Sequence, residues 1–109
     1  MSNIKQLVNV CTEAWVQCET LLLQLAKKQQ TYSAYTLQVI DECAQMCLGM
    51  SYALQHQLSI QNKVALLCLG LCEECAEICE RYNNRLFTRC AAACRQCSSS
   101  IGIVARTAL

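Results

Sequence analysis

The stretch Val64–Tyr82, VALLCLGLCEECAEICERY, decides the fold. Within it Val64, Cys68, Cys72, Cys75, Cys79 and Tyr82 recur at steps of 4-4-3-4-3. Steps of three and four lay side chains along one face of an α-helix, whereas a strand would need strict alternation. Four of the six stripe residues are Cys. The acids Glu73, Glu74, Glu77 and Glu80 form a solvated face, and Glu77 and Arg81 make a favourable i,i+4 pair. Ala65, Leu66 and Leu69 lie beside the stripe, so the first half of this helix is apolar nearly all round. That predicts burial of its outer face against a second copy of the chain.

The same pattern extends in both directions. Ile4, Val8, Cys11, Trp15, Cys18, Leu22 and Leu25 step 4-3-4-3-4-3; Ile40, Cys43, Cys47, Met50 and Leu54 step 3-4-3-4; Phe87, Cys90, Cys94, Cys97, Ile101 and Val104 step 3-4-3-4-3. All 11 Cys fall on these four stripes. Polar breaks at 29–33, 57–59 and 83–84 separate segments of about 3–29, 33–57, 60–82 and 85–106. Ser2, Thr31 or Ser33, Ser59 and Asn84 stand as N-caps. Short breaks make neighbouring helices antiparallel. The expected fold is all-α: an antiparallel four-helix bundle with a Cys-lined core, one domain over residues 1–109.

Composition agrees. A chain of 109 residues with no Pro and 3 Gly has little of the turn chemistry of a β-sandwich or barrel. A net charge of +1 gives no electrostatic reason to bind nucleic acid. The longest apolar run, Val64–Cys72, is far short of the ~20 residues of a membrane span. The first fifteen residues carry no apolar leader core, so no signal peptide and a reducing, cytoplasmic location are expected.

Antiparallel folding about the three breaks sets Cys18 beside Cys43, Cys11 beside Met50, Cys47 beside Cys72, Cys43 beside Cys75, Cys72 beside Cys94 and Cys79 beside Cys90. The thiols then form a column. Leu22, Leu25, Ile40, Tyr82 and Phe87 close one end, and Ile4, Leu54, Leu58, Ile60, Val64, Ile101 and Val104 the other. A few buried Cys act as small hydrophobes. Eleven forgo much apolar burial, so a ligand should replace that stabilisation. Disulfides fit poorly: an odd count leaves one thiol over, and i,i+4 pairs on one helix do not converge.

Thiolates select Cu(I), Zn(II) or iron–sulfur clusters. Zinc wants four sulfurs at tetrahedral corners, which straight helices do not easily supply along a whole column. Iron–sulfur motifs lie in loops. Cu(I) accepts two or three thiolates, and a C-x3-C pair one turn apart can hold one ion. If each thiolate bridges two ions the core becomes neutral, which sets a load on the order of ten Cu(I) per chain. Met50, a seam thioether, is a further candidate ligand as well as ordinary core filler. A zinc or mixed-metal thiolate buffer of metallothionein-like chemistry is the alternative, and a metal-free interaction module the third reading. An enzyme is not expected: one His cannot furnish a di-iron site, and the C-x-x-C spacings Cys72/Cys75 and Cys94/Cys97 lie mid-helix facing inward.

Four Cys-lined helices, repeated C-x3-C pairs and the C-x3-C-x2-C-x3-C of Cys68, Cys72, Cys75 and Cys79 resemble the copper storage proteins along the whole chain. The resemblance implies storage of many Cu(I) ions inside the bundle and assembly as homotetramers. It implies Cys11, Cys18, Cys43, Cys47, Cys68, Cys72, Cys75, Cys79, Cys90, Cys94 and Cys97 as ligands. A copper chaperone or small-molecule thiol would be the donor. Family members use Met and His near the end where copper arrives, which would give His56 that role; on its residues alone it reads as an exposed helix-terminal His. Helix one has only two Cys, and Trp15 between them is expected to keep metal out of part of one layer. Gly49 and Gly70 are expected to allow close helix approach.

Overall fold

A computed structural model of the chain describes residues 4–28 and 32–106. Four helices follow one another: α1 (Ile4–Lys27), α2 (Ala34–Gln55), α3 (Gln61–Cys79) and α4 (Arg85–Arg106). Each packs its backbone on two neighbours, α1 on α2 and α4, α3 on α2 and α4, and among the described residues no diagonal pair of helices approaches as closely. The result is a square antiparallel bundle with extents of 45 × 22 × 20 Å.

The helix ends are set by local chemistry. Ser33 caps α2, its Oγ accepting from the Thr36 amide at 3.1 Å. Asn84 caps α4, its Oδ1 accepting from the Leu86 amide at 2.8 Å. Ser59 does not cap α3; Ile60 holds that position with no side-chain hydrogen bond. The other two expected caps, Ser2 and Thr31, lie outside the described residues. α2 ends in a Schellman turn, with Leu58 N–H on the Ala53 carbonyl (3.0 Å) and Gln57 N–H on that of Leu54 (3.3 Å). Gln57 takes the left-handed conformation, φ 50°, that such a turn demands. α3 stops at Cys79 rather than continuing to Tyr82.

The inward stripes match the sequence reading on α2 and α4 and shift on α1. There the buried residues are Leu7, Cys11, Ala14, Cys18, Leu21 and Leu25. Both Cys are on the stripe, but Val8, Trp15 and Leu22 sit at its flank, half-buried. The small Ala14 fits the narrow interior where Trp15 would not, so Trp15 does not obstruct a layer. Ile4 (44% exposed) and Ile60 (52%) also fail to join the end plug, lying at fraying helix starts. Leu54 and Ile101 close that end, with Leu58, Val64 and Val104 half-buried. At the opposite end Tyr82 stacks on Phe87 at 4.2 Å, with Tyr32 at 5.8 Å from both. Gly49 and Gly70 are exposed, and an added Cβ would meet nothing within 4 Å, so neither serves a close helix approach.

Ion pairs and polar bridges stay outside. Arg95 grips Glu80 with two bonds of 3.0 and 2.8 Å, tying α4 to the end of α3. Tyr35 on α2 donates to Glu74 on α3. The Glu77–Arg81 pair forms at 3.8 Å in open solvent, where such pairs add little.

Candidate metal centre

The four inward stripes bring all eleven thiols together between the two plugs. Every Cys is fully buried and none is in a disulfide. Three groups stand out, each with its sulfurs within 4.8 Å of one another: Cys18, Cys43, Cys75 and Cys94; Cys47, Cys68, Cys72 and Cys97; and Cys75, Cys79 and Cys90. They are continuous. Cys75 belongs to two groups, and Cys43 joins the first to the second through Cys72 at 3.9 Å. Cys11 is attached through Cys97 at 3.8 Å.

Most of the expected neighbours meet. Cys18 and Cys43 share a group, as do Cys43 and Cys75, and Cys79 and Cys90. Cys47 and Cys72 lie 3.5 Å apart. Cys72 and Cys94, expected side by side, fall in adjoining groups but interact directly and also meet across Cys43. A connection centred between residues 84 and 85 pairs 79 with 90, 75 with 94 and 72 with 97, one helical turn from the expected match. Cys18 also reaches Cys90 at 3.5 Å between the adjacent helices α1 and α4, a neighbour the layer map missed. Cys11 finds Cys97 across the α1–α4 seam. Met50 is fully buried on the α2 stripe, one turn beyond Cys47. His56 stands outside the core, exposed, its ring 4.2 Å from that of Tyr52. Sequence reasoning overlooked the small residues Ala14, Ala44 and Ala76 and set Ala65 on the outer face of α3, whereas all four are fully buried within the single chain. Periodicity searches weight large apolar side chains and pass over them.

The spacing suits sulfur-bridged metal. With a metal–thiolate bond of about 2.3 Å, three sulfurs around one ion stand ~4.0 Å apart and two in line ~4.6 Å apart. The closest interhelical gaps are 3.5–3.9 Å. A cation held by three of them therefore needs only a few tenths of an ångström of breathing, and one held by two in line about 1 Å.

Electrostatics favour the neutral form in eight of the eleven thiols. Contact with neighbouring thiols, Cys18 first, and then burial push Cys43 and Cys90 far above the ordinary thiol range. Cys11 is raised likewise by Cys97 and by burial. Cys18, Cys47, Cys68, Cys72 and Cys79 also stand above it. Cys75, Cys94 and Cys97 go the other way, lowered by hydrogen-bonding contact with the thiols around them, Cys75 to about 2. Each group thus contains at least one sulfur whose ionisation is favoured by hydrogen bonding from its neighbours. The only buried polar residues are Thr36, Ser51 and Ser98, so among the described residues no buried charged side chain can balance a charged core.

A four-helix bundle whose interior donors are soft sulfur is a container for thiophilic metal ions. The copper storage protein (Csp) model matches residues 1–105, and the chain belongs to that family. Its fold is similar to that of a solved Cu(I)-bound copper storage protein, BsCsp3. The identity is 22%, with 93% of this chain and 96% of that one covered and a TM-score of 0.86. No curated protein matches the sequence. Among the described residues no helix is long and apolar enough to cross a membrane.

Proposed function

We propose that the bundle takes up and stores many Cu(I) ions, held by the eleven Cys with the Met50 thioether at one end of the column. The observation that carries this reading is the continuity of the thiol groups in an interior with no charge to balance them. A Zn(II) held by four unshared thiolates carries two excess negative charges, which is costly to bury. Cu(I) and bridging thiolate in equal number leave none. Charge balance thus supports a load on the order of ten Cu(I) per chain.

The alternative, a zinc thiolate buffer, is favoured by the two four-sulfur groups. The third group lacks a fourth ligand, so zinc would fill two sites and leave the rest as thiols. Anaerobic titration against a strong Cu(I) chelator, with elemental analysis and thiol counting, decides between them. Several equivalents of Cu(I) per chain are expected, against no more than two of zinc. A fully reduced protein that takes up no Cu(I) would end the storage reading.

The rest of the reading follows from the same chemistry. The chain works as one cytoplasmic storage domain without catalytic activity, because free thiols need a reducing compartment and the donors face a closed interior. Copper reaches it from a chaperone or a small-molecule thiol. Leu66 (61% exposed) and Leu67 (59%) on the outer face of α3 support association with further copies, as a homotetramer. Sedimentation before and after Leu66→Glu checks this, the variant giving the smaller species.

A further inference from the structure

The three thiol groups are not equivalent. Two hold four sulfurs each, whereas the group of Cys75, Cys79 and Cys90 has no fourth among the described residues. α3 supplies Cys75 and Cys79, one turn apart, and α4 supplies Cys90, all fully buried. This group lies toward the aromatic end of the column. Phe87 precedes Cys90 on α4 by one turn, Tyr82 follows Cys79 by three residues, and the two rings stack at 4.2 Å. The buried polar side chains of the described residues are Thr36, Ser51 and Ser98, none of them charged.

We propose that the three-thiol group is also a site for a trivalent metalloid, taking up arsenous acid, As(OH)3, as an arsenic tris-thiolate. The site goes beyond copper storage and needs no copper to form.

Charge and donor number both select this class of ligand. Three unshared thiolates around one Cu(I) carry two excess negative charges, and around Zn(II) one, each costly in a dry interior. Around As(III) they carry none. Trivalent arsenic is thiophilic, as the soft metal ions are. It binds three sulfurs in a pyramid whose fourth corner is a lone pair. In a four-sulfur group a fourth thiol competes for that corner, whereas this group leaves it to apolar surroundings. With bonds of about 2.3 Å, as in a zinc thiolate, and angles little wider than a right angle, the sulfurs of such a pyramid sit ~3.4 Å apart. The three thiols start within 4.8 Å of one another, close enough to gather round one atom. The exchange involves no redox step. Three As–O bonds break and three As–S bonds form, each thiol proton leaves on a hydroxide as water, and arsenic stays trivalent. Arsenous acid is uncharged at neutral pH, so neither reactant nor product brings charge into the core.

Anaerobic titration of the reduced, copper-free protein with sodium arsenite tests the site. One tightly held arsenic per chain is expected, with three thiols lost to a thiol reagent. X-ray absorption should show three sulfurs and no oxygen on arsenic. Cys79→Ala and Cys90→Ala, each taking one sulfur from the group, should lose the tight equivalent, while Cys68→Ala, outside the group, should keep it. Circular dichroism checks that each variant is folded. No uptake by the wild type, oxygen retained on arsenic, or a site lost in Cys68→Ala and kept in a folded Cys90→Ala would overturn the assignment. The copper load is read separately by chelator competition, so a protein that stores no Cu(I) fails on that measurement and not on this one.

Discussion

The sulfur-lined middle of the bundle and its aromatic end are built on opposite principles. At the end, Phe87, Leu21, Leu25 and Ile40 are buried, and Tyr82 stacks on Phe87 at 4.2 Å. Large apolar side chains supply burial energy of about 25 cal/mol per Å² and fix the helix register. In the middle the interior is Cys and Ala, which fill less volume and contribute less. The end holds the four helices in place, so the middle can keep its donors ready and gain its own stability only when metal arrives.

The largest expected effect separates the two regions by pH. In the copper-free fold Cys11, Cys18, Cys43, Cys47, Cys68, Cys72, Cys79 and Cys90 hold their protons far above the ordinary thiol value of 9.0. The unfolded chain releases them near that value. Above it the unfolded state binds fewer protons than the native one, so stability falls as pH rises, by about 1.4 kcal/mol per pH unit for each such thiol. Their contribution is intact below 9.0 and lost progressively above it. Loaded protein, already deprotonated at sulfur, should resist alkali and instead lose copper as acid returns protons to the thiolates. Thermal melts of both forms across the pH range check this. A copper-free melting temperature that stays flat above pH 9 would mean the middle ionises while folded.

Phe87→Ala attacks the other side of the comparison. A fully buried Phe removed from a packed cluster should cost about 3–5 kcal/mol in denaturant unfolding of the copper-free protein. The Cys47→Ala, Cys72→Ala double variant should cost less stability, because each change removes only one sulfur atom, yet it should lower the copper load by competition titration. If Phe87→Ala lowered the load per folded chain while the double variant did not, the division of labour between end and middle would be wrong.

How much could be read beforehand follows the same division. The Cys positions were legible because 3-4 spacing fixes angular position on a helix, and every Cys lies on the buried face. The α1 stripe was legible at its two Cys and at Leu25. Val8, Trp15 and Leu22 are apolar, but the interior there takes Leu7, Ala14 and Leu21. Each pair of alternatives differs by a single residue, about 100° around the helix, which α1's own pattern cannot resolve until its neighbours are placed. The groups were legible to within one turn, since each hairpin connection sets register. Their joining through Cys43 and the Cys18–Cys90 approach between α1 and α4 depend on side-chain reach between helices, to which spacing within one helix is blind. The α2 C-terminus was legible as a polar break but not as a Schellman turn, because Gln57 occupies the position where Gly is the usual signal.

The smallest expected effect concerns the outer surface of the middle. Gly49 and Gly70 interrupt α2 and α3 beside the Cys stripes, and each has open space where a Cβ would go. A mid-helix Gly costs about 1 kcal/mol relative to Ala, so Gly49→Ala and Gly70→Ala should each stabilise the copper-free bundle by roughly that amount. An added Cβ at either meets nothing within 4 Å, so the two share no new contact and their effects should add. Neither touches a sulfur, so the copper load should not change. The informative measurement is the rate of loading in the double variant. Unchanged uptake means that the glycines merely weaken the middle. Slower uptake at an unchanged final load means that α2 and α3 must flex where these glycines stand.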